Sequence, residues 1–181
     1  MKIVVGLGNP GKKYENTRHN AGFLALDFLI LSFGFRISDF QNNFHSLILN
    51  EKLNNTKVIF AKPQTFMNNS GEAVKTLCHF YKIDVSKNLL VIHDDVDLSL
   101  GKFKLTPASS SAGHNGVQNI IEQLGSQEFH RLRLGVNTRN SRSEIDTQDF
   151  VLQNFTPEEL KQLQEEVLPQ AKTTVEKFLQ N

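Results

Sequence analysis

The sequence predicts an α/β protein built around a mostly buried sheet. Short apolar runs rich in β-branched residues alternate with longer segments of helical period, the pattern of strands and the helices that cover them. The chain is 181 residues long, which suits one domain, and no internal repeat or linker divides it.

The strand runs are Ile3–Val5, Phe44–Leu49, Val58–Ala61, Leu89–Ile92 and Leu132–Val136. Between the first two, residues 22 to 35 are apolar almost all round, as befits a helix buried between a sheet and other elements. Val74, Leu77, Cys78 and Tyr81 recur at helical spacing, and Asn69 followed by Glu72 resembles a capping box. Val117, Ile120, Ile121 and Leu124 repeat that spacing from a start near Gly113–Gly116, with Gly125 as the C-terminal cap. Thr156-Pro157-Glu158-Glu159 opens a C-terminal helix with Leu160, Leu163, Val167, Ala171, Val175 and Phe178 on one face, and Pro169 is expected to kink or break it. Residues 106 to 112 and 137 to 147 are polar and aperiodic and read as mobile loops.

Composition narrows the class. At 39% hydrophobic and 22% charged residues the chain is globular in character. Its single cysteine, Cys78, excludes an intrachain disulfide and a multi-cysteine metal site, and fits a reducing compartment such as the cytoplasm. No apolar run reaches the roughly 18 residues of a spanning helix, and the start MKIVVGLGNPG has no signal-peptide cleavage site. A net charge of +1 gives no global argument for nucleic acid, so local basic stripes must decide.

Glycines 6, 8 and 11 in VGLGNPG match a dinucleotide fingerprint in spacing only. The residues after Gly11 have no helical period, Pro10 removes a backbone donor, and Asp27 falls inside the apolar helix rather than at a strand tip. A tight turn is the better reading. Around it, Asn9, the segment Thr17-Arg18-His19-Asn20, residues 66 to 70, His93-Asp94-Asp95-Val96-Asp97 and His114-Asn115 supply polar groups at sheet edges, where α/β sites form. A neutral histidine oriented by a carboxylate can deprotonate water, and carboxamides can donate to a developing oxyanion. Together they describe water-mediated acyl transfer.

Other readings of these residues remain. His19 beside Arg18 fits a surface or capping histidine, and Asp94, Asp95 and Asp97 fit a magnesium site in a phosphohydrolase. Ser109–Ser111 lacks a nucleophile elbow and reads as loop, and Cys78 reads as packing. Lys102 with Lys104, and Arg131 with Arg133, alternate in strand-like segments, so each pair can face one side of a sheet and suit phosphate.

The blocks VVGLGNPGKKYENTRHNAGF (4 to 23), KPQTFMNNSG (62 to 71), HDDVDLSLGKFKL (93 to 105), GHNGVQNII (113 to 121) and FHRLRLGV (129 to 136) resemble, in content, order and spacing, the bacterial-type peptidyl-tRNA hydrolases. The resemblance runs through FVLQNF (150 to 155) into the C-terminal helix, over essentially the whole chain. It implies a single domain, residues 1 to 181, with a twisted mixed sheet flanked by helices on both faces. It also implies a cytoplasmic, monomeric enzyme without metal or cofactor that cleaves the ester between peptide and tRNA, recycling tRNA from aborted ribosomes.

By position, the resemblance makes His19 the general base and Asp94 the carboxylate that orients it. Asn9 and Asn68 would hold the peptide main chain, and Asn115 the water or oxyanion. Tyr14 and Met67 would line the site, His114 would belong to a mobile loop beside it, and Lys104 and Arg133 would clamp the tRNA 5′-phosphate. Two departures stand out: residues 108 to 112 replace a glycine-rich loop by Ala-Ser-Ser-Ser-Ala, and Asn137-Thr138-Arg139 replaces the usual continuation after the last strand. A catalytically silent RNA-binding relative of the same fold is the competing class. It would have lost the polar site, and here His19, Asp94 and the three asparagines are all present.

Overall fold

The computed structural model describes residues 1–139 and 145–180. Seven strands form one mixed sheet in the order β2-β3-β4-β1-β5-β7-β6. The strands are β1 (Lys2–Gly6), β2 (Gln41–Asn43), β3 (Ser46–Leu53), β4 (Thr56–Pro63), β5 (Leu89–Ser99), β6 (Phe103–Thr106) and β7 (His130–Asn137). The central strands β4, β1, β5 and β7 run parallel, and antiparallel pairings finish both edges.

The alternation of side chains along β1 divides the core. Val4 packs with α1 (Ala21–Ser32), α5 (Thr147–Leu152) and α7 (Leu168–Gln180) on one face. Ile3 and Val5 pack with α2 (Ser70–Tyr81) and α4 (Asn115–Leu124) on the other. The remaining helices are the short α3 (Val85–Asn88) and α6 (Pro157–Gln162). The predicted helices over 22 to 35, 69 to 81 and 115 to 124 are therefore present, and Gly125 caps α4 at φ 67°. Leu31 of α1 is exposed, so its apolar character is not matched by burial on every side.

Five expectations about elements need correction. Phe44 does not begin a strand: Phe44 and His45, at φ 52° and 54°, form the β2–β3 turn, and the strand starts at Ser46. Asn69 makes no side-chain cap, because the 3₁₀ turn Met67–Asn69 leads directly into α2. Pro169 does not break the C-terminal helix. A π turn over Leu163–Val167, closed by Leu168 N–H on the Leu163 carbonyl, carries the chain from α6 into α7. The segment His93-Asp94-Asp95 does not follow a strand but lies within β5, which runs to Ser99. Of the aperiodic stretch 137 to 147, Asn137 ends β7, Thr147 opens α5, and residues 140–144 lie outside the described residues.

The length of β5 positions the site. β1 stops at Gly6, opposite Ile92, while β5 continues alongside β7 through His93, Asp94 and Asp95. Beyond the end of β1 the flank of β5 is uncovered, and the chain leaving β1 turns across it.

Candidate active site

The turn after β1 shows what the three glycines do. A Cβ on Gly6 would lie 2.4 Å from the Gly22 carbonyl oxygen, so strand and α1 touch backbone to backbone. Gly11 has φ 105°, and the chain continues from it into a three-residue 3₁₀ turn, Lys12–Tyr14, rather than a helix aimed at a phosphate. The dinucleotide reading fails on that geometry.

Asn9, at the apex, is held from both sides. The Asn20 carboxamide accepts from Asn9 N–H at 2.8 Å and donates to the Asn9 carbonyl at 3.0 Å. The Asn9 side-chain oxygen in turn accepts from Met67 N–H at 2.8 Å. The turn after β1, the start of α1 and the turn before α2 are thereby tied together. With its oxygen engaged by Met67 N–H, Asn9 keeps its NH₂ group as a donor beside the cleft. Asn20 is the residue that sequence reasoning missed as a site component. Its place in a run of polar residues was the only signal.

His19 sits in the 3₁₀ turn Arg18–Asn20 that leads into α1. Its Nδ1 lies 2.9 and 3.0 Å from the two oxygens of Asp94, whose carboxylate is buried. Burial disfavours the imidazolium, but the charge and hydrogen bonding of Asp94 outweigh it and raise the His19 pKa above the ordinary value. Burial likewise pushes the Asp94 carboxyl up, and the attraction and hydrogen bonds of His19 and His114 more than reverse this, holding it well below the usual carboxylate range.

His114 is not a free loop residue. Its Nε2 lies 2.9 Å from Asp94 Oδ1, and its Nδ1 accepts from Val117 N–H at 3.2 Å, capping α4. Both ring nitrogens of His114 are thus engaged, one by the carboxylate and one by the α4 backbone. His93 is buried, stacks edge-on against His114 with centroids 4.6 Å apart, and donates from Nδ1 to the Asp94 carbonyl at 2.6 Å. Burial, with the proximity of His114, lowers its pKa well below the ordinary value, so it stays neutral.

These groups line a cleft of about 580 Å³. Its walls include Asn9, Tyr14, Met67, Asn68, His114 and Asn115, with Phe66 on one side and Val151 and Leu152 of α5 on the other. Asn68 and Asn115 are exposed and reach the cleft from the starts of α2 and α4. Met67 is buried, its sulfur against Gly116, so it supports the wall while contributing to it. Tyr14 meets the exposed Phe66 edge-on at 6.4 Å, giving the rim an aromatic surface.

Arg18 is the opposite of a surface neighbour. It is buried, pairs with both Glu159 oxygens at 2.8 and 2.7 Å, donates to the Asn154 carbonyl at 2.8 Å, and lies over the Phe150 ring. Arg131 also departs from the predicted phosphate-facing pair, because it is buried and donates to the Ser109 and Ser110 carbonyls, fastening the serine loop. Lys104 and Arg133 do stand opposite one another across β6 and β7. Arg133 is itself ion-paired through Nε to Asp95.

His19, Asp94 and His114 place one ligand atom each within 4.8 Å of one another, the single arrangement with metal-binding spacing among the described residues. In this geometry Asp94 is occupied by two imidazoles and His114 by the α4 backbone. The trio considered for magnesium is dispersed: Asp94 goes to the histidines, and Asp95 to Arg133 and the Asp97 N–H.

A histidine–carboxylate pair beside carboxamide groups, in a cleft where parallel strands end, is the arrangement of a hydrolase site on an α/β sheet. Comparison narrows the class to a family. The family described as Peptidyl-tRNA hydrolase matches residues 3–181. The peptidyl-tRNA hydrolase of Mycoplasma capricolum subsp. capricolum is 47% identical over 91% of this chain and 86% of that protein. That of Fusobacterium nucleatum subsp. nucleatum is 47% identical over 91% and 83%. The crystal structure of peptidyl-tRNA hydrolase from Acinetobacter baumannii superposes with a TM-score of 0.87 at 31% identity, over 99% of this chain and 89% of that one. This chain belongs to the peptidyl-tRNA hydrolase family.

Proposed function

We propose that this protein hydrolyses the ester between a peptide and the terminal ribose of tRNA, recycling tRNA released from stalled or aborted ribosomes, with His19 as general base. The observation that carries the proposal is the approach of both Asp94 oxygens to His19 Nδ1. A proton held on Nδ1 by Asp94 leaves Nε2 as the basic nitrogen. A water on Nε2 loses its proton to the ring as its oxygen attacks the ester carbonyl. The tetrahedral oxyanion then accepts from carboxamide N–H groups, Asn115 being the best placed at the mouth of α4. Collapse breaks the bond to the ribose oxygen, which leaves with the proton returned from the imidazolium, giving peptide carboxylate and tRNA.

The NH₂ groups of Asn9 and Asn68 suit carbonyls of the peptide main chain, and Lys104 with Arg133 suits the 5′-phosphate. No helix among the described residues is long and apolar enough to cross a membrane. We read the protein as a cytoplasmic monomer that needs neither metal nor cofactor. The silent RNA-binding alternative has no support from a cleft in which the base, its carboxylate and the carboxamides are assembled.

The test is release of an N-acetylated amino acid from tRNA by the purified protein, with free aminoacyl-tRNA as control and a chelator arm. We expect cleavage of the N-acetylated substrate, much slower cleavage of the free one, and no effect of chelator. Equal rates would remove the peptidyl selectivity, and loss of activity on chelation would assign His19, Asp94 and His114 to a metal.

A further inference from the structure

A second cavity, of about 300 Å³, lies at the other end of the sheet from the cleft and shares no residue with it. Lys2 opens β1 and His130 opens β7, so the cavity sits where parallel strands begin rather than where they end. Lys87 of α3, Leu105 of β6, and Lys177 and Phe178 of α7 lie around them. Side chains alternate along β7, so His130 takes the α7 face with Leu132 and Leu134, and Arg131 and Arg133 take the other.

The lining is cationic and only partly satisfied. It holds three lysines and an imidazole and no carboxylate. Lys87 is matched in the open by Asp84 at 3.4 Å, and Lys177 is exposed in the last turn of α7. Lys2 is held differently. It is only 6% exposed, its ammonium donates to the Lys87 carbonyl at 2.8 Å and lies 4.6 Å from the centre of the Phe178 ring, and among the described residues it has no ion-pair partner. An ammonium has three N–H donors, so two remain for a ligand. The His130 ring packs against the same Phe178 at 5.1 Å, and its Nδ1 is buried without a hydrogen-bond partner. Burial lowers the pKa of both groups, and the charge of Lys2 lowers that of His130 further. Buried cations and polar atoms without partners cost free energy, so a cavity that keeps them side by side suits a ligand supplying acceptors and negative charge.

We propose that this cavity binds a small organic phosphate monoester, with its phosphate on Lys2 and His130 and Lys177 at the rim. A phosphate monoester carries roughly −1.5 to −2 at neutral pH and three acceptor oxygens, enough to meet both lysine charges and the free donors of Lys2 and His130. A carboxylate brings one charge and two acceptors, and leaves part of the set unmet. The Phe178 ring and Leu105 offer the carbon part an apolar wall, and about 300 Å³ is at the small end of ligand cavities. An RNA backbone is the poorer occupant, because the Lys104–Arg133 pair that suits tRNA is on the opposite face of the sheet. The inference is independent of the chemistry at His19.

The experiment titrates phenyl phosphate into the full chain and follows the ring resonances of His130 by NMR, assigned with His130→Gln. That readout does not register phosphate held at Lys104 and Arg133. We expect a saturable shift at millimolar probe, weaker binding of inorganic phosphate, which leaves the apolar wall uncovered, and no displacement of the probe by deacylated tRNA. Lys2→Met keeps the buried stem and removes the charge, and should weaken binding about tenfold or more. Lys177→Gln, at the exposed rim where folding is not at stake, should weaken it about threefold. No saturable shift, or an affinity unchanged in both variants, overturns the site. Inorganic phosphate binding as tightly as the ester overturns the organic part, and displacement of the probe by tRNA overturns the small-molecule assignment in favour of RNA.

Discussion

Asp94 is shared by two imidazoles, and the sharing decides what each can do. His114 is committed on both nitrogens, to Asp94 and to the α4 backbone, so only His19 retains a nitrogen for chemistry. Burial alone would lower His19 below the ordinary value of 6.5, and Asp94 raises it instead. A general base works in its neutral form, so kcat/KM on N-acetyl-aminoacyl-tRNA should rise with pH through a midpoint above 6.5. Asp94→Asn removes the opposing charge and leaves burial. Its midpoint should move to lower pH while the rate falls by about 10²- to 10⁴-fold. A midpoint that stays in place would show that another group titrates. At this scale His19, Asp94, Asn68 and Asn115 were legible because their residue types state their chemistry. Asn20 was not, since its role appears only when the turn after β1 meets the start of α1.

The elements that carry these residues are fastened by buried polar anchors. Arg18 draws the turn holding His19 onto Glu159, and Glu159 also completes the capping box that starts α6. The same carboxylate therefore fixes the C-terminal helical segment and the turn that carries His19. Arg18→Leu would leave the Glu159 carboxylate without its counter-charge and the Asn154 carbonyl without the guanidinium donor. Removing one partner of a buried pair costs about 3–5 kcal/mol, which should appear as a lower urea midpoint at unchanged m-value. A shift below about 1 kcal/mol would mean that water replaces the guanidinium. The Thr156 capping box was readable because its parts are local, three residues apart. Asn69 offered the same spacing, but the 3₁₀ turn before α2 removes the geometry a cap requires. Pro169 misled for a related reason. A π turn just before it reorganises the hydrogen bonds that the proline would otherwise break.

Across the whole molecule, the strand order 2-3-4-1-5-7-6 brings together residues far apart in the chain. The alternation of runs announced an α/β sheet, but local periodicity carries no information about which strands are neighbours. The order sets β1 between β4 and β5, so that Asn9, Met67 and Asp94 converge, and it seats Lys104 beside Arg133 at the far edge. The cleft and the basic pair thus occupy different parts of one sheet. With Lys104→Ala, tRNA affinity should weaken and the slope of log K against log salt should shrink by about one, with single-turnover chemistry at saturation little changed. An unaltered slope would take Lys104 out of phosphate binding.

Activation of the attacking water by His19 is the step on which the proposed reaction depends. Single-turnover cleavage of saturating N-acetyl-aminoacyl-tRNA by His19→Ala tests it most directly, with tRNA binding measured on the same preparation. We predict a rate about 10²- to 10⁴-fold below wild type with tRNA affinity retained. Wild-type turnover by a variant that still binds tRNA would contradict it.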